Sequence, residues 1–425
     1  MYSVRAALFM LLCIGIFLLV ILTGYYPLLV LSLPLILLIS FSFIISPSIE
    51  LDNLEVKRKI DTTRLIVGEE IKVEVLLKNN SEKTYFLEIS DNIPPFVQVK
   101  NGTLRTFVIL NPGEEFKLGY TLRFPTRGHF DLGPLEVVLF DYLKIRFNKY
   151  SVGKPVTISV FPTFEDLKDF DIRPKRTGVW PGTITSKRSG QGTEFYGIRE
   201  YMPGDEIRRI NWKAYARLQR LVTNEFESER VTDVLIIVDT SGGEMLGAYA
   251  SKMLEAEVNA AASLSWLFLK HGNRVGLIVH GRHRGWIKPY FGKKQFLRIL
   301  HFLADVSLGG IISLDYLLKN LLPMILKPET QIILITPLLD RNILSVIHYA
   351  LLNNYKILVL TPSIYYSMMD SQDKKEFLMG RILRLMKENI MLKVGKLCPI
   401  IEWNVNMSLN DVLKYSKRDI RLYSR

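Results

Sequence analysis

The sequence predicts a multidomain chain. An N-terminal transmembrane helical hairpin is followed by an all-β immunoglobulin-like sandwich and then by a doubly wound α/β domain. Three observations predict this. No charged residue occurs from Ala6 to Pro47. From about residue 50 to 162, apolar and polar residues alternate with period two between turn sequences, as in strands with one buried face. Beyond about residue 231, short continuous apolar runs alternate with helical patterns, as in a parallel sheet with crossover helices. The expected divisions are residues 1–48, 49–162, a connector at 163–230, and 231–425.

The uncharged N-terminal span is too long for one crossing, which takes about 20 residues. Gly24-Tyr25-Tyr26-Pro27 divides it, giving expected helices at about Ala6–Thr23 and Leu28–Ile45. Arg5 flanks one end and Lys57-Arg58-Lys59 follows the other, while the turn is uncharged. Positive residues stay on the cytoplasmic side. The expectation is therefore a two-pass cell-membrane protein with cytoplasmic soluble domains. A cleaved signal peptide is the rival for the first helix, though no small-x-small site follows the turn. The sequons at Asn79 and Asn101 run against a cytoplasmic location, but such triplets arise often by chance.

In the β region, Ile71, Val73, Val75 and Leu77 alternate with Lys72, Glu74, Leu76 and Lys78. Phe116, Leu118, Tyr120, Leu122 and Phe124 form a second such series. Turns fall at Asn92–Pro95, Asn101-Gly102, Asn111–Gly113 and Gly133-Pro134. No catalytic constellation is visible there, and a spacer or docking role is expected.

The formal net charge is +13. Such a balance suits nucleic acid or an acidic lipid surface, or simply a membrane-facing protein. The connector concentrates it, with eleven Lys or Arg against four Asp or Glu from Arg173 to Arg220. Lys175-Arg176 and Lys187-Arg188 lie in Gly/Ser/Thr/Pro-rich sequence that reads as loop. Three uses of this charge stay open: an ion-pair network of Glu200, Asp205 and Glu206 with Arg199, Arg208 and Arg209, a protein-docking surface, or phosphate contacts with aromatic stacking. Nucleic acid is the least favoured partner. Asp205 is placed to cap a helix over Ile207–Arg217.

The final region reads as strands at Val234–Val238, Arg274–Val279, Ile332–Ile335, Lys356–Leu360 and Ile400–Trp403, with Gly285–Ile287 as an edge ribbon. Helices are expected at Lys293–Leu303, Ser313–Leu326, Arg341–Leu352 and Lys374–Met391, and on the Leu254, Val258, Ala261 face. Ligands in such folds sit at the carboxyl ends of strands, where Asp239 and Ser241 fall. The two cysteines give neither zinc spacing nor a disulfide framework. A phosphate-binding loop, a nucleophile elbow and a supported Ser/His/Asp triad are all missing, so an enzyme is not expected.

The run Gly197, Arg199, Tyr201, Gly204, Asp205, Arg208, Ile210 and Trp212, with Arg217 just beyond, carries a resemblance. Its Gly-x-Arg-x-Tyr-x-x-Gly-Asp-x-x-Arg-x-Ile-x-Trp spacing resembles the signature of the family catalogued as domain of unknown function 58. In that family the signature precedes a von Willebrand factor A-like domain. Pro125–Pro134 resembles a segment found upstream of it. The resemblance implies a membrane-anchored protein-interaction scaffold without established activity. It also implies a MoxR-type AAA+ ATPase partner, acting in assembly or maturation of protein complexes. A von Willebrand factor A-like domain would hold magnesium through Asp-x-Ser-x-Ser, a distant Thr and an Asp. Here Gly243 replaces the second Ser, Gly309-Gly310-Ile311-Ile312 falls where the Thr is expected, and Thr336-Pro337 where the Asp is, while Asp315 and Asp340 are off register. Only Asp239 and Ser241 remain as ligands for Mg2+, which leaves a metal-dependent adhesion module as an alternative. Trp212 is expected to be buried.

Overall fold

The structure is a computed structural model. It describes residues 4–45, 51, 53–142, 144–167, 185–229, 233–241, 243–282, 285–309, 314–326, 330–340 and 342–419. The chain is a mixed α/β, multi-sheet protein of two compact units, Met1–Phe161 and Pro162–Arg425.

The first unit corrects the N-terminal expectation. Among the described residues no helix is long and apolar enough to cross a membrane, so neither the transmembrane hairpin nor the two-pass membrane location is supported. Helix α1, Val4–Thr23, takes Arg5 into its first turn. The second apolar stretch does not continue as one helix. Tyr26–Ser32 is a 3-10 helix, and only the 13 residues Leu33–Ile45 form α2. At about 1.5 Å per residue, α2 reaches roughly 20 Å, short of a hydrocarbon core of about 30 Å.

The β region of this unit comprises β1 (Leu54–Ile60), β2 (Arg64–Ile66), β3 (Glu70–Asn79), β4 (Tyr85–Asp91), β5 (Gln98–Gly102), β6 (Arg105–Leu110), β7 (Glu115–Arg123), β8 (Gly128–Leu132), β9 (Leu135–Phe140), β10 (Phe147–Val152) and β11 (Val156–Phe161). They build sheets of order β1-β3-β7-β5, β10-β9-β4-β6 and β2-β11-β8. The alternation of residues 71–78 forms β3, with Ile71, Val73, Val75 and Leu77 buried in one core beside Leu87, Ile89, Leu122 and Val137. That core also holds charge. Arg58 pairs with the fully buried Asp91 at 2.6 Å and donates to the Leu132 carbonyl at 2.5 Å, while Tyr120 donates its hydroxyl to Asp91. Burial first, and then the Asp91 carboxylate, raise the Tyr120 phenol above its usual range.

The second unit begins with the paired strands β12 (Thr185–Glu200) and β13 (Val222–Glu229), which flank α3 (Trp212–Leu218). Lys187 and Arg188, read as loop in the sequence, lie within the range of β12, which pairs with β13 across several register shifts. Lys175 and Arg176 lie outside the described residues. Next come β14 (Asp233–Asp239), α4 (Ala250–Lys270), β15 (Arg274–His280), β16 (Gly285–Tyr290), α5 (Lys293–Ala304), α6 (Leu314–Ile325), β17 (Gln331–Ile335), α7 (Ile343–Leu352), β18 (Lys356–Ser363), α8 (Tyr365–Met369), α9 (Lys374–Gly395), β19 (Ile400–Asn404) and α10 (Leu409–Asp419).

The six-stranded sheet has order β16-β15-β14-β17-β18-β19 and is parallel except for the edge strand β16. Its central strands are apolar throughout because both faces are covered. Leu235 and Ile237 share a core with Leu318 and Leu322 of α6 and Ile347 of α7, and α4 packs against β14 and β15. Glu165 anchors the start of this unit, accepting from Ser408 Oγ at 2.6 Å and from the Leu409 and Asn410 amides at 3.1 Å.

Candidate functional site

Two places in the second unit collect the residues singled out by the sequence. The first is the signature segment. Gly197 and Arg199 sit on β12, with Arg199 opposite Thr223 of β13. Tyr201 closes the strand pair by donating its amide to the Leu221 carbonyl at 3.0 Å. The chain then turns over Pro203-Gly204, where Gly204 takes a φ of 110°, a left-handed conformation that favours glycine. Asp205 locks the turn. Its carboxylate accepts from Arg199 Nη2 at 2.6 Å and Nη1 at 2.9 Å, from the Met202 amide at 2.9 Å and from Thr223 Oγ1 at 3.3 Å. The Arg199 hydrogen bonds, and then the Met202 amide, hold the Asp205 carboxyl below its usual range.

Asp205 is therefore not a helix cap. Asn211 caps α3, accepting from the Ala214 amide at 2.9 Å, and its Nδ2 donates to Asn224 Oδ1 at 2.8 Å. Arg208 lies in a 3-10 turn at Ile207–Arg209 and pairs with Glu206 at 2.8 Å, while Arg209 reaches Glu206 at 3.4 Å. Arg217 is exposed on α3. Trp212 corrects the expectation of a buried aromatic: it is 60% exposed and meets Tyr215 edge to face at 6.2 Å. The reason is local. A helix of only seven residues projects from the turn, and none of its residues is buried. Met202 at 63%, Ile207 at 71% and Leu218 at 46% are exposed on the same segment.

The second place is the carboxyl edge of the sheet. Asp239 ends β14 opposite His280 of β15 and is only 3% exposed. Its Oδ1 accepts from Ser241 Oγ at 2.6 Å and lies 2.8 Å from His280 Nδ1, and its Oδ2 accepts from Thr336 Oγ1 at 2.9 Å. Both oxygens are thus engaged by side chains of the protein itself. A hard dication takes six or more oxygens. Among the described residues no group of three or more His, Cys, Asp or Glu side chains is placed to hold one. The residues present do not fit magnesium. Asp315 instead binds Lys319 and Ser345, and Asp340 accepts from the Asn342 amide. Of the stretch Gly309–Ile312, only Gly309 is among the described residues.

Sequence reasoning missed three groups at this edge. Glu257 of α4 is 1% exposed, and neither carboxylate oxygen has a hydrogen-bond partner among the described residues. Burial, and then Asp239, raise its pKa well above the usual carboxyl range, while Lys387 opposes the rise. Lys387 of α9, also buried, donates to the Pro362 carbonyl at 2.5 Å and Ser363 Oγ at 2.6 Å, and lies 3.4 Å from Glu402. Burial pushes it down to about 8, against the pull of Glu402. Thr361, on β18, is fully buried with no partner for its hydroxyl among the described residues. The missed signal was a Glu sitting on the apolar stripe between Leu254 and Ala261.

Comparison with known proteins bears on the same unit. Residues 197–329 match the family described as "Protein of unknown function DUF58", and the match begins at the first glycine of the signature. The chain is 23% identical over 259 residues to "Uncharacterized protein YeaD" of Bacillus subtilis (strain 168), covering 60% of this chain and 63% of that protein. It is 28% identical over 139 residues to "Uncharacterized protein Mb1516" of Mycobacterium bovis, covering 32% of this chain and 44% of that protein. The chain therefore spans less than two thirds of either relative. Among solved structures, the FixG-related protein from Vibrio parahaemolyticus covers 26% of this chain and 98% of its own, at 12% identity and a TM-score of 0.19, a likeness too slight to bear on fold or function.

Proposed function

We propose that this chain is a non-catalytic protein-interaction scaffold and that residues 198–221 form its docking surface. One observation carries the reading: Trp212 stands 60% exposed against Tyr215, on a segment that also exposes Ile207 and Met202 and whose turn is held by the Arg199–Asp205 pair. Exposed aromatic and aliphatic side chains on one segment that also carries arginines have the composition of protein-binding hot spots, in which Trp, Tyr and Arg predominate. Arg208, Arg217 and Arg220 are those arginines. A bidentate Arg–carboxylate clamp pre-organises the loop, which lowers the ordering cost of docking. The partner we infer is an AAA+ ATPase of the MoxR type, by the resemblance of the signature. We read the α/β sheet as an A-like domain, supported by Asp239 at the end of a central parallel strand. Here that aspartate serves as an internal hydrogen-bond hub. The test is nucleotide-dependent capture of the ATPase by the folded chain, compared with Trp212→Ala.

A further inference from the structure

Helix α9 has a buried side and an exposed apolar side. One side, through Gly380, Lys387, Ile390 and Val394, is buried within the α/β unit. The other carries Leu378, Ile382, Leu385 and Leu392, which are 55%, 58%, 65% and 64% exposed. Single exposed leucines are ordinary on protein surfaces. These are not scattered, for with Asn389 they recur at steps of four, three, four and three residues. That is the spacing of the a and d positions of a heptad, the seam along which one helix meets another.

We propose that this stripe is a homodimer seam, in which two copies of the chain pair through parallel α9 helices. The proposal goes beyond the docking surface at residues 198–221 and does not depend on it. Charge and polarity select a second copy as the occupant. With Leu378, Leu385 and Leu392 at d, Ile382 and Asn389 fall at a, Glu388 at g and Lys393 at e. Across a parallel two-stranded seam, a g residue faces the e residue five positions later on the partner. Glu388 therefore faces Lys393 of the second copy, and two-fold symmetry repeats the complementary pair. Within one chain Glu388 is already oriented by Arg384 at 2.8 Å. Asn389 meets its own copy in the parallel register, amide to amide. An antiparallel register that keeps Ile382 opposite Leu385 sets Asn389 against Leu378. A single Asn at an a position specifies register and partner number in this way. Two heptads are too short to hold an isolated helix pair. Here α9 is already folded against its own unit, so pairing does not have to form the helix.

The test uses the full chain in sedimentation equilibrium. Wild type is expected to have the mass of a dimer. The double variant Ile382→Glu, Leu385→Glu is expected to fall twofold, to the mass of one chain, with an unchanged far-ultraviolet circular dichroism spectrum because both side chains are exposed. Asn389→Cys in a Cys13→Ser background is expected to cross-link to itself under mild oxidation, and this decides the matter should the double variant fail to fold. A monomeric wild type, a dimer that survives both glutamates, or a dimeric Asn389→Cys variant whose two chains do not cross-link would each overturn the proposal.

Discussion

Replacing Glu257 by Met should stabilise the protein, and the gain should grow with pH. Glu257 is buried on α4, and both its oxygens lack a hydrogen-bond partner among the described residues. An unpaired polar group in a protein interior costs about 1–3 kcal/mol, and Met fills a similar volume with apolar atoms. The pH term adds to this. The folded-state pKa is raised above the ordinary 4.5, by burial and by Asp239. The folded protein therefore holds the proton more tightly than the unfolded chain does. Stability tied to this group is complete below pH 4.5 and declines as pH rises toward the folded value, by about 1.4 kcal/mol per unit. The advantage of Glu257→Met should be about 1–3 kcal/mol at pH 4.5 and should widen as pH rises toward the raised folded-state value. Urea denaturation of both proteins across that range measures it. A destabilised variant, or a difference independent of pH, would refute the reasoning, because it would mean that the carboxylate is charged and engaged.

Arg58→Ala should cost about 3–5 kcal/mol in thermal unfolding, since it leaves Asp91 buried without its cation; a loss below about 1 kcal/mol would show the pair to be dispensable. Lys387 titrates near 8 in the folded protein against 10.5 ordinarily, so the folded state binds fewer protons between these values. Wild type should therefore gain up to about 3 kcal/mol on Lys387→Met as pH rises through that window, and a constant difference would contradict the assignment. Asp205→Asn should accelerate hydrogen exchange at the Met202 amide, which donates to Asp205. In wild type the same loosening is expected only as pH falls below 3.8 and through the lowered folded-state pKa; equal exchange in the two proteins at neutral pH would remove the clamp from the account.

The α/β unit was legible because its signals are local and strong. The buried strands β14, β15, β17 and β18 read as unbroken apolar runs, and the two-residue period of β3 marked its buried face. The N-terminus was misread because hydropathy reports composition and not helix continuity, and Tyr26–Ser32 winds as a 3-10 helix. Arg58 was misread for a related reason. As part of Lys57-Arg58-Lys59 it looked like a topological charge, whereas strand alternation turns it inward to a distant Asp91. In the signature, the Arg199–Asp205 pairing was visible as neighbouring opposite charges. The exposure of Trp212 was not, because an aromatic in a motif-rich run looks the same in sequence whether it packs inward or stands on a short projecting helix. The hydrogen bonds of Asp239 with His280 and Thr336 join residues far apart in the chain, and only the sheet order brings them together.

Docking of a protein partner by residues 198–221 rests on Trp212. The most direct measurement is capture of a MoxR-type ATPase by the immobilised wild-type chain and by Trp212→Ala, with ATP present, alongside thermal unfolding of both. Wild type should capture the ATPase in a nucleotide-dependent way, and the variant should lose at least about tenfold in capture at unchanged stability, since the side chain is 60% exposed. Equal capture by the two proteins, or a variant that loses stability along with capture, would contradict docking through Trp212.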